Sequence, residues 1–433
     1  MEERGSNRLD HLFYAAGQGD EATKRFVEEH RMEDVRGLAL QASRFPEVNM
    51  RFALDQIAGW QTARKKIPMW AEADGVVFPP HLSMEQCSSE LTARYKGEIL
   101  ELSKRGRYVD LTGGFGVDFF FMSQGYEERI YVEQNPELCA ISQYNFEVLD
   151  EDVTVVNGEA QEYVRAMEPA DVVFLDPARR DERGGRTYGI ADCTPNVLEF
   201  LDELLEKAEC IVLKLSPMLD WRKAMEDLEG TKEWGSSSTE RRVVAVHIVS
   251  VQNECKELVV VVRKSKGATT QRKGVCVNLL PDGKRERFEF NISRMGTSAD
   301  RCVRPEIKPE DLNGWYLYEP NASVMKAGCF DELSVRYDVY GLAQNSHLFV
   351  SEELRNEFPG RQFEVMTATT LNKKELRRTL TDVNCANITV RNFPMSVAEL
   401  RKRLRLKEGG DVYLFATTLQ TDQHVLIIAK KVT

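Results

Sequence analysis

The sequence predicts an α/β protein whose central domain is built on a largely parallel β-sheet. Apolar strand patterns alternate with helical patterns from Tyr108 to about Lys264, and polar or glycine-rich segments follow directly after several of these strands. This alternation is typical of parallel sheets that are covered by helices. We expect a helical domain before the sheet and a smaller α/β domain after it.

Residues 1–80 are predicted to be helical. Apolar residues recur at helical spacing between Leu9 and Trp60, until Pro68 and residues 78–80 interrupt the pattern. Proline interrupts helices because it lacks the amide donor and clashes with the preceding turn. The N-terminal region is therefore predicted to be a helical domain.

Ser83 and Gln86 have the spacing of a helix capping box. The spacing predicts a helix that begins at Ser83, continues through Leu91 to Leu102 and leads to the first strand. Gln86 would then lie at the edge of a ligand site on the sheet, or it would only cap the helix.

The most specific stretch is the glycine loop, residues 110–118 (DLTGGFGVD). It lies between a short strand pattern that ends at Val109 and an apolar helical pattern that follows from Phe119. Glycines let the backbone approach a ligand closely, and the first N–H groups of the following helix can bind polar ligand atoms. Because glycine turns also serve packing, the loop alone predicts a ligand site without naming the ligand.

Acidic residues follow the second and third predicted strands. Glu133 ends the second strand about 20 residues after the glycine loop, where a carboxylate meets ribose hydroxyls in nucleotide-binding α/β folds. Alternatively, Glu133 or Asn135 caps the next helix. Gly158 and Glu159 follow the third strand, residues 153–156. Glu159 would meet an adenine amino group or would simply begin a helix.

The fourth predicted strand is a second strong signal. Residues 171–175, which are apolar from Val172 onward, read as a buried parallel strand and are followed by Asp176 and Pro177. Ligands bind at this carboxyl edge in open α/β sheets. The long polar loop of residues 181–189 lies at the same edge, where loops of this length usually have a function.

The fifth predicted strand, residues 210–215, places Lys214 and Ser216 at the same edge. Residues 242–250 and 257–263 then predict an antiparallel pair around Asn253. Two closing strands of this kind are the ending of one particular α/β architecture.

Composition restricts the function classes. The net charge of −11 disfavours indiscriminate nucleic-acid binding, so any such contact must come from a local basic patch. The nine cysteines contain no CxxC pair and the six histidines are dispersed, which predicts neither disulfides nor a metal site. No apolar run approaches the roughly 18–20 residues that span a bilayer. The N-terminus lacks the apolar core of a signal peptide, so a cytoplasmic protein without membrane contact is predicted.

Four pieces of the sequence, in order, resemble a class I S-adenosylmethionine-dependent methyltransferase over about residues 82–264. They are the Asp-x-Thr-Gly-Gly-x-Gly loop, the acidic end of the second strand, the Gly-Glu-Ala of residues 158–160 and the Asp-Pro-x-Arg of residues 176–179. The resemblance implies a Rossmann-like sheet with S-adenosylmethionine as cofactor. Asp110 would lie under the methionine end, Gly114 and Gly116 would face the cofactor with their backbone, and Glu133 and Glu159 would face ribose and adenine. The predicted cofactor-binding residues are Gln86, Asp110, Thr112, Gly114, Gly116, Glu133, Gly158 and Glu159.

A dinucleotide (NAD) site is the competing interpretation of the glycine loop. Its fingerprint requires a third glycine for close packing of the helix on the strand. Phe119 stands at that position and is too bulky. The sequence therefore favours S-adenosylmethionine over NAD.

The downstream chain resembles bacterial methyltransferases with a THUMP-like C-terminal domain. The resemblance lies in residues 314–321 (GWYLYEPN) with 326–328, and in residues 391–394 (RNFP) with 399–406. True THUMP domains deliver tRNA to RNA-modifying enzymes, so the resemblance implies RNA, with tRNA favoured, as the partner. It also implies a small α/β domain of the ferredoxin-like kind.

The C-terminal pattern, taken on its own, is that of a compact α/β unit. Strands are predicted at residues 363–366, 386–390, 412–416 and 425–429, and helices at residues 373–380 and 397–406. The helices carry a basic cluster, consisting of Lys373, Lys374, Arg377, Arg378, Arg401, Lys402, Arg403 and Arg405. Such clustering in an acidic chain is the expected footprint of a phosphate-binding surface, although a solvated helix face is the alternative.

The fourth-strand motif also suggests the chemistry. Enzymes that methylate exocyclic amines of bases typically follow Asp/Asn-Pro-Pro with an aromatic residue that stacks on the flipped base. Ala178 and Arg179 stand there instead, which resembles tRNA methyltransferases that attack a ring nitrogen. Asp176 would orient or deprotonate the acceptor, or it would only cap the next turn. The predicted catalytic residues are Asp176, Pro177 and Arg179, and the predicted substrate-binding residues are Arg180, Arg186, Lys214 and Ser216.

Three function classes follow from the sequence. An RNA methyltransferase is favoured, and the acidic net charge supports a methyltransferase for a protein or small molecule as the alternative. The third class is a non-catalytic RNA-binding or assembly protein that retains the cofactor fold. The predicted domains are residues 1–81 (helical), 82–265 (methyltransferase), 266–330 (a β-rich connector) and 331–433 (THUMP-like).

Overall fold

The computed structural model describes residues 21–100, 105–179, 189–230, 241–264, 272–294, 306–381 and 383–432. The sequence patterns at Leu9, at Leu102 and at residues 181–188 lie outside these ranges. The chain divides into two compact units. The first contains Met1–Val243 and Val259–Ala268, and the second contains Val244–Leu258 and Thr269–Thr433.

The described part of the first unit that precedes the sheet is helical, as predicted. Its helices are α1 (Glu21–His30), α2 (Val35–Leu40), α3 (Met50–Lys66), α4 (Pro68–Glu72), α5 (His81–Gln86) and α6 (Glu90–Glu98). Phe26, Leu38, Ala53 and Ile57 form a small buried core between α1, α2 and α3. This core explains the helical spacing of the apolar residues.

The predicted helix start at Ser83 is wrong. α5 begins at His81, directly after Pro80, and ends at Gln86. Ser89 then caps α6, because its hydroxyl accepts a hydrogen bond from the Thr92 N–H at 3.3 Å. Ser89, and not Ser83, thus caps the longer of the two helices. Gln86 therefore does not cap the helix that leads to the sheet.

The first unit contains the predicted parallel sheet in the strand order β7-β4-β1-β2-β3. The strands are β1 (Arg107–Asp110), β2 (Glu128–Glu133), β3 (Thr154–Asn157), β4 (Ala170–Leu175) and β7 (Ala208–Leu215). The helices are α7 (Val117–Met122), α8 (Pro136–Val148), α9 (Ala160–Ala166), α10 (Leu201–Lys207) and α11 (Trp221–Glu229). The strand order reverses between β1 and β4, which is where open α/β sheets bind their ligands.

Two short strands follow β4. The antiparallel pair β5 (Ala178–Arg179) and β6 (Cys193–Thr194) lies directly after Asp176 and Pro177. The predicted closing pair is β8 (Arg241–Val251) with β9 (Glu254–Lys264), joined at Gln252 and Asn253. Both joining residues have positive φ, 50° and 65°, as a two-residue hairpin turn requires.

The second unit contains β10 (Lys273–Leu279) and β11 (Arg285–Asn291), which pair antiparallel, while β10 also pairs parallel with residues 245–251 of β8. Both strands lie within residues 266–330, where a β-rich connector is predicted. The larger sheet of the second unit has the order β13-β14-β12-β15-β18-β17-β16. The strands are β12 (Tyr316–Pro320), β13 (Tyr340–Gly341), β14 (Phe349–Ser351), β15 (Gly360–Thr369), β16 (Asn387–Val390), β17 (Val412–Thr418) and β18 (His424–Lys431).

The helices of the second unit are α12 (Ala322–Ala327), α13 (Phe330–Tyr337), α14 (Lys373–Thr379) and α15 (Val397–Leu404). Leu317, Phe363, Phe415 and Ile427 belong to a buried core of the larger sheet. The predicted fold class is confirmed, while the division into four domains stays a prediction. Within the described residues, no helix combines the length and the apolar character needed to cross a membrane, and no group of three or more potential metal ligands occurs.

Candidate functional site

Gly113 and Gly114 of the glycine loop differ in the space around them. Gly114 has φ +57° and Gly116, which precedes α7, has φ +86°. A Cβ atom added to Gly114 would have one neighbour within 4 Å among the described residues. This neighbour is the carbonyl oxygen of Thr112, at 3.8 Å. A Cβ atom on Gly113 would lie 2.1 Å from the ring of Tyr131. Gly113 is therefore needed for packing, whereas Gly114 borders space that a ligand can enter.

We predict that Gly114→Ala and Gly113→Ala will separate binding from packing. Alanine at Gly114 should cost about 1–2 kcal/mol of unfolding free energy because of its left-handed backbone. It should weaken binding of the predicted cofactor, S-adenosylmethionine, about tenfold or more. Alanine at Gly113 should cost about 3 kcal/mol or more through its clash with Tyr131. Thermal unfolding and calorimetric titration measure the two effects. Equal cofactor affinity in wild type and Gly114→Ala would remove this glycine from the site.

Asp110 is a buried carboxylate at the end of β1. Its Oδ1 accepts a hydrogen bond from the Thr112 N–H at 2.9 Å, whereas its buried Oδ2 has no hydrogen-bond partner within the described residues. Burial raises the pKa of Asp110 well above its usual value, the Thr112 N–H opposes this shift, and the carboxylates of Asp118, Asp176 and Glu133 add to it. A cationic ligand group near this carboxylate would compensate for both effects.

Glu133 fastens the glycine loop to the end of β2. Its carboxylate accepts from the N–H groups of Gly114 and Asn135, at 2.8 and 2.7 Å, and its carbonyl accepts from the Gly158 N–H at 3.0 Å. Asn135 is the residue that caps α8, through the N–H of Glu137. Glu133 is thus not the helix cap. The backbone of Gly114 is predicted to face the cofactor, but its N–H donates to the Glu133 carboxylate.

Gln86 and Glu159 are exposed. Gln86 is the last residue of α5, and Glu159 precedes α9 without a capping hydrogen bond from its side chain. Within the described part of the chain, no hydrogen bond or ion pair of either side chain is found. Their assignment to the cofactor therefore stays a prediction.

Three predicted site residues, Asp176, Pro177 and Lys214, lie at the carboxyl edge of β4 and β7. The backbone N–H of Asp176 donates to the Thr112 hydroxyl at 2.6 Å, and the Asp176 carboxylate forms an ion pair with Lys214. Pro177 is buried beside it. Through the hydrogen bond between Asp176 and Thr112, the glycine loop contacts the residue that is predicted to act on the methyl acceptor.

The other residues predicted to bind the methyl acceptor either make contacts within the chain or lie outside the part of the chain that the structure describes. The Ser216 hydroxyl accepts from the Met218 N–H at 3.3 Å, so it shapes the turn after β7. The backbone of Arg179 pairs with Cys193 in β5 and β6. The side chain of Arg179, together with Arg180 and Arg186, lies outside the part of the chain that the structure describes.

Sequence reasoning missed three residues of this site: Ser88, Lys96 and Asp118. Asp118 lies in the first turn of α7, 3.4 Å from the Lys214 ammonium, 3.1 Å from the buried Lys96 ammonium and 2.7 Å from the Ser88 hydroxyl. Burial alone would raise the pKa of Asp118, but Lys96 and Lys214 hold it below its usual value. The available signal was a single acid in an otherwise apolar helix and a lysine on the buried face of α6.

The basic cluster of the second unit is mostly exposed. Exposed members are Lys373, Lys374, Arg377, Arg378, Lys402, Arg403 and Arg405. The acids on the same helices are engaged locally, since Glu375 accepts from the hydroxyls of Thr369 and Thr370, and Glu399 forms a capping box with Ser396. The surface therefore presents cations with little local compensation.

Known families match the C-terminal region. Residues 360–431 match the family described as THUMP domain-like, and residues 316–359 match a ferredoxin-like domain family. No curated protein matches the sequence.

The structure is similar to the crystal structure of a "putative methyltransferase" from Porphyromonas gingivalis W83. The two share 29% sequence identity and a TM-score of 0.79 over 96% of this chain and 99% of the other. A "putative class I S-adenosylmethionine-dependent methyltransferase" from Listeria monocytogenes is far more distant, at 9% identity and a TM-score of 0.35 over 60% of this chain and 93% of the other. TrmK of M. capricolum with S-adenosyl-homocysteine shares 11% identity and a TM-score of 0.29 over 40% of this chain and 68% of the other. The predicted resemblance to methyltransferases with a THUMP-like C-terminal domain is confirmed by the first match and the C-terminal family.

Proposed function

We propose that this chain is a cytoplasmic S-adenosylmethionine-dependent methyltransferase that methylates a base in RNA, with tRNA as the favoured substrate. The observation that carries the proposal is the group of Asp110, Thr112, Asp176 and Lys214 at the switch point between β1 and β4. This group lies in a fold shared with the P. gingivalis protein over almost the whole chain.

The residues at the glycine loop fit the cofactor. The Oδ2 of Asp110, which has no hydrogen-bond partner among the described residues, and the space at Gly114 suit the cationic methionine end. Glu133 and Glu159 are assigned to ribose and adenine. When bound, S-adenosylmethionine supplies an activated methyl group. The chain therefore needs mainly to bind the acceptor, orient it and exclude water from it.

Asp176 is assigned to the acceptor. About a third of its side chain is exposed, so it can reach a substrate, and it forms an ion pair with Lys214. A carboxylate can accept the proton of a ring nitrogen as it is methylated. Arg179, with Arg180 and Arg186, is assigned to a phosphate or carbonyl group of the same nucleotide.

The THUMP-like domain and its basic cluster support RNA as the substrate. Exposed arginines and lysines on α14 and α15 supply the charge that phosphates require, despite the acidic chain. The acidic net charge of the chain instead supports the alternative, a methyltransferase that acts on a protein or a small molecule.

The distinguishing experiment is mass spectrometry of tRNA and rRNA nucleosides from cells with and without the protein. One modification lost on deletion supports the proposal, and unchanged nucleosides contradict it.

We predict that Lys373, Lys374, Arg377 and Arg378→Ala together will weaken tRNA binding about 10- to 100-fold at low salt. The slope of log affinity against log salt concentration should fall by about 3, because fewer counterions are released. The matched control replaces four exposed cations of the first unit, Lys24, Arg25, Arg36 and Arg51, and should leave both values unchanged. Filter binding across salt concentrations provides the measurement, and equal effects of the two sets would mean that only net charge matters.

A further inference from the structure

Two arginines of the second unit bind to one buried carboxylate. Glu319, near the end of β12, has only 6% of its side chain exposed and accepts from Arg361 at the start of β15, whose Nε lies 2.8 Å away. The other carboxylate oxygen of Glu319 accepts from the Nη2 of Arg391, which follows β16, at 3.1 Å. Glu319 and Arg391 belong to the two sequence segments that carry the resemblance to methyltransferases with a THUMP-like domain. The two segments therefore meet at this ion pair.

The ion pairs leave one positive charge uncompensated. Among the described residues, Glu319 is the one carboxylate that pairs with either arginine. The two guanidinium groups repel each other, and the carboxylate between them neutralises only one of their charges. Burial lowers the pKa of the nearby His347, and the positive charge of Arg391 lowers it further. One additional negative charge would balance this group of side chains.

Both arginines also have donors that the ion pairs do not use. The buried Nε of Arg391 has no hydrogen-bond partner among the described residues, and neither Nη1 group donates in any hydrogen bond found there. The side chains of Arg361 and Arg391 are 40% and 35% exposed, so a ligand can reach them from solvent. Planar guanidinium groups with available N–H donors suit the oxygens of a phosphate. Because Glu319 already holds both groups, a ligand would lose little affinity in ordering them.

We propose that Arg361 and Arg391, held in place by Glu319, bind one phosphodiester group of the RNA substrate. The inference rests on the proposed function, which supplies RNA as the ligand. A phosphodiester group carries the single negative charge that would balance the two arginines and Glu319. Neither arginine belongs to the basic cluster on α14 and α15, so the site is a second contact of this unit with the RNA backbone.

Arg355 of the same unit shows the opposite arrangement and provides the matched control. Its guanidinium group pairs with two carboxylates, Asp338 at 2.6 Å and Glu353 at 3.1 Å, and 29% of its side chain is exposed. One arginine between two acids leaves negative charge in excess, which repels a phosphate. Methionine in place of Arg355, Arg361 or Arg391 changes the net charge of the chain by the same amount.

The first measurement is binding of unfractionated tRNA to the full-length protein across salt concentrations. Arg361→Met and Arg391→Met should each weaken binding about 3- to 10-fold at low salt and lower the salt slope by about 1, because one phosphate contact is lost. Arg355→Met should bind within about twofold of wild type. Equal weakening in the three variants would overturn the proposal, because the net charge alone would then explain the effect.

The second measurement uses inorganic phosphate and does not depend on RNA. The melting temperature of each protein in about 50 mM sodium phosphate is compared with its own value in sodium chloride of equal ionic strength, since a bound anion stabilises the folded state. The increase should be about 2 °C in wild type and in Arg355→Met, and less than half of that in Arg361→Met and Arg391→Met. A purely structural ion pair would lower the melting temperature in both salts and leave the increase unchanged.

The two measurements separate the site from the identity of its ligand. An increase that is equal in all four proteins, or absent from all of them, would overturn the anion site. If the increase is lost in the two variants but wild type binds no tRNA, the proposed RNA substrate fails and the anion site stands. Should Arg391→Met not fold, Arg361→Met provides the same evidence, because Glu319 keeps Arg391 as its partner there.

Discussion

Asp176→Ala is expected to reduce methyl transfer about 10³-fold while changing the affinity for S-adenosylmethionine less than about threefold. The reason lies in how Asp176 is held. Its backbone N–H, which alanine retains, bonds to Thr112 in the glycine loop, whereas its carboxylate contacts Lys214. The substitution should therefore spare the cofactor side of the site. Lys214 keeps Asp118 as a partner, so no buried charge is left alone.

Single-turnover transfer of a labelled methyl group to tRNA from cells that lack the protein measures the first effect. Calorimetric titration with the cofactor measures the second. Asp152→Ala, which removes an exposed carboxylate before β3, is the control and should behave as wild type. Asp176→Asn should lose activity as alanine does, because it keeps the shape of the side chain but not the charge. Unchanged turnover in both variants would reduce Asp176 to a strand-end carboxylate without a catalytic role.

The position of the site could be predicted because it follows from strand polarity. The carboxyl ends of parallel strands meet at one edge, so the sequence alone placed Asp110, Asp176 and Lys214 together, and the structure shows Asp176 paired with Lys214. The alternation of strand and helix also gave β1 to β4 and β7 to within a few residues. These predictions needed only local patterns and the common direction of parallel strands.

The contacts of Lys96 with Asp118 could not be predicted in the same way. They depend on how α6 packs against α7, and no local pattern gives the rotation of one helix relative to another. A buried lysine also contradicts the expectation that charged residues are exposed, and it becomes acceptable only once its partner is known. Similarly, the spacing at Ser83 predicted the wrong helix start, because a local capping pattern contains no information on tertiary packing.

Gly113 shows a different limit of sequence reasoning. In the pattern it is one of three equivalent glycines, but the structure gives it a steric role against Tyr131, whose hydroxyl donates to the carbonyl of Gly114. The assignment of a ligand to the loop stays a prediction, and the structure adds that Gly114 is the glycine with space around it. The residue-level assignment required the neighbouring strand.

Asp110→Asn is expected to make the cofactor-free protein more stable at neutral pH and to weaken S-adenosylmethionine binding about 10- to 100-fold. Burial raises the pKa of Asp110 in the folded chain above its value of about 3.9 in the unfolded chain. The stability that this group contributes is therefore complete below the unfolded pKa and is lost as the pH rises through the folded pKa. Asparagine cannot ionise, so the variant avoids this loss. Its melting temperature should exceed that of wild type by about 2–4 °C at pH 7.5.

The difference should disappear as the pH falls toward 4, because wild-type Asp110 is then neutral as well. Binding should change in the opposite sense, since the cationic end of the cofactor loses its counter-charge. Asp171→Asn is the control. It lies at the other end of β4, where its carboxylate accepts from the N–H groups of Gly106 and Arg107 at 2.9 Å, and it should not affect cofactor affinity. Thermal unfolding from pH 4 to 8, with and without cofactor, measures both effects. A less stable Asp110→Asn protein with unchanged cofactor affinity would show that this carboxylate is structural and that the cofactor's charged end lies elsewhere.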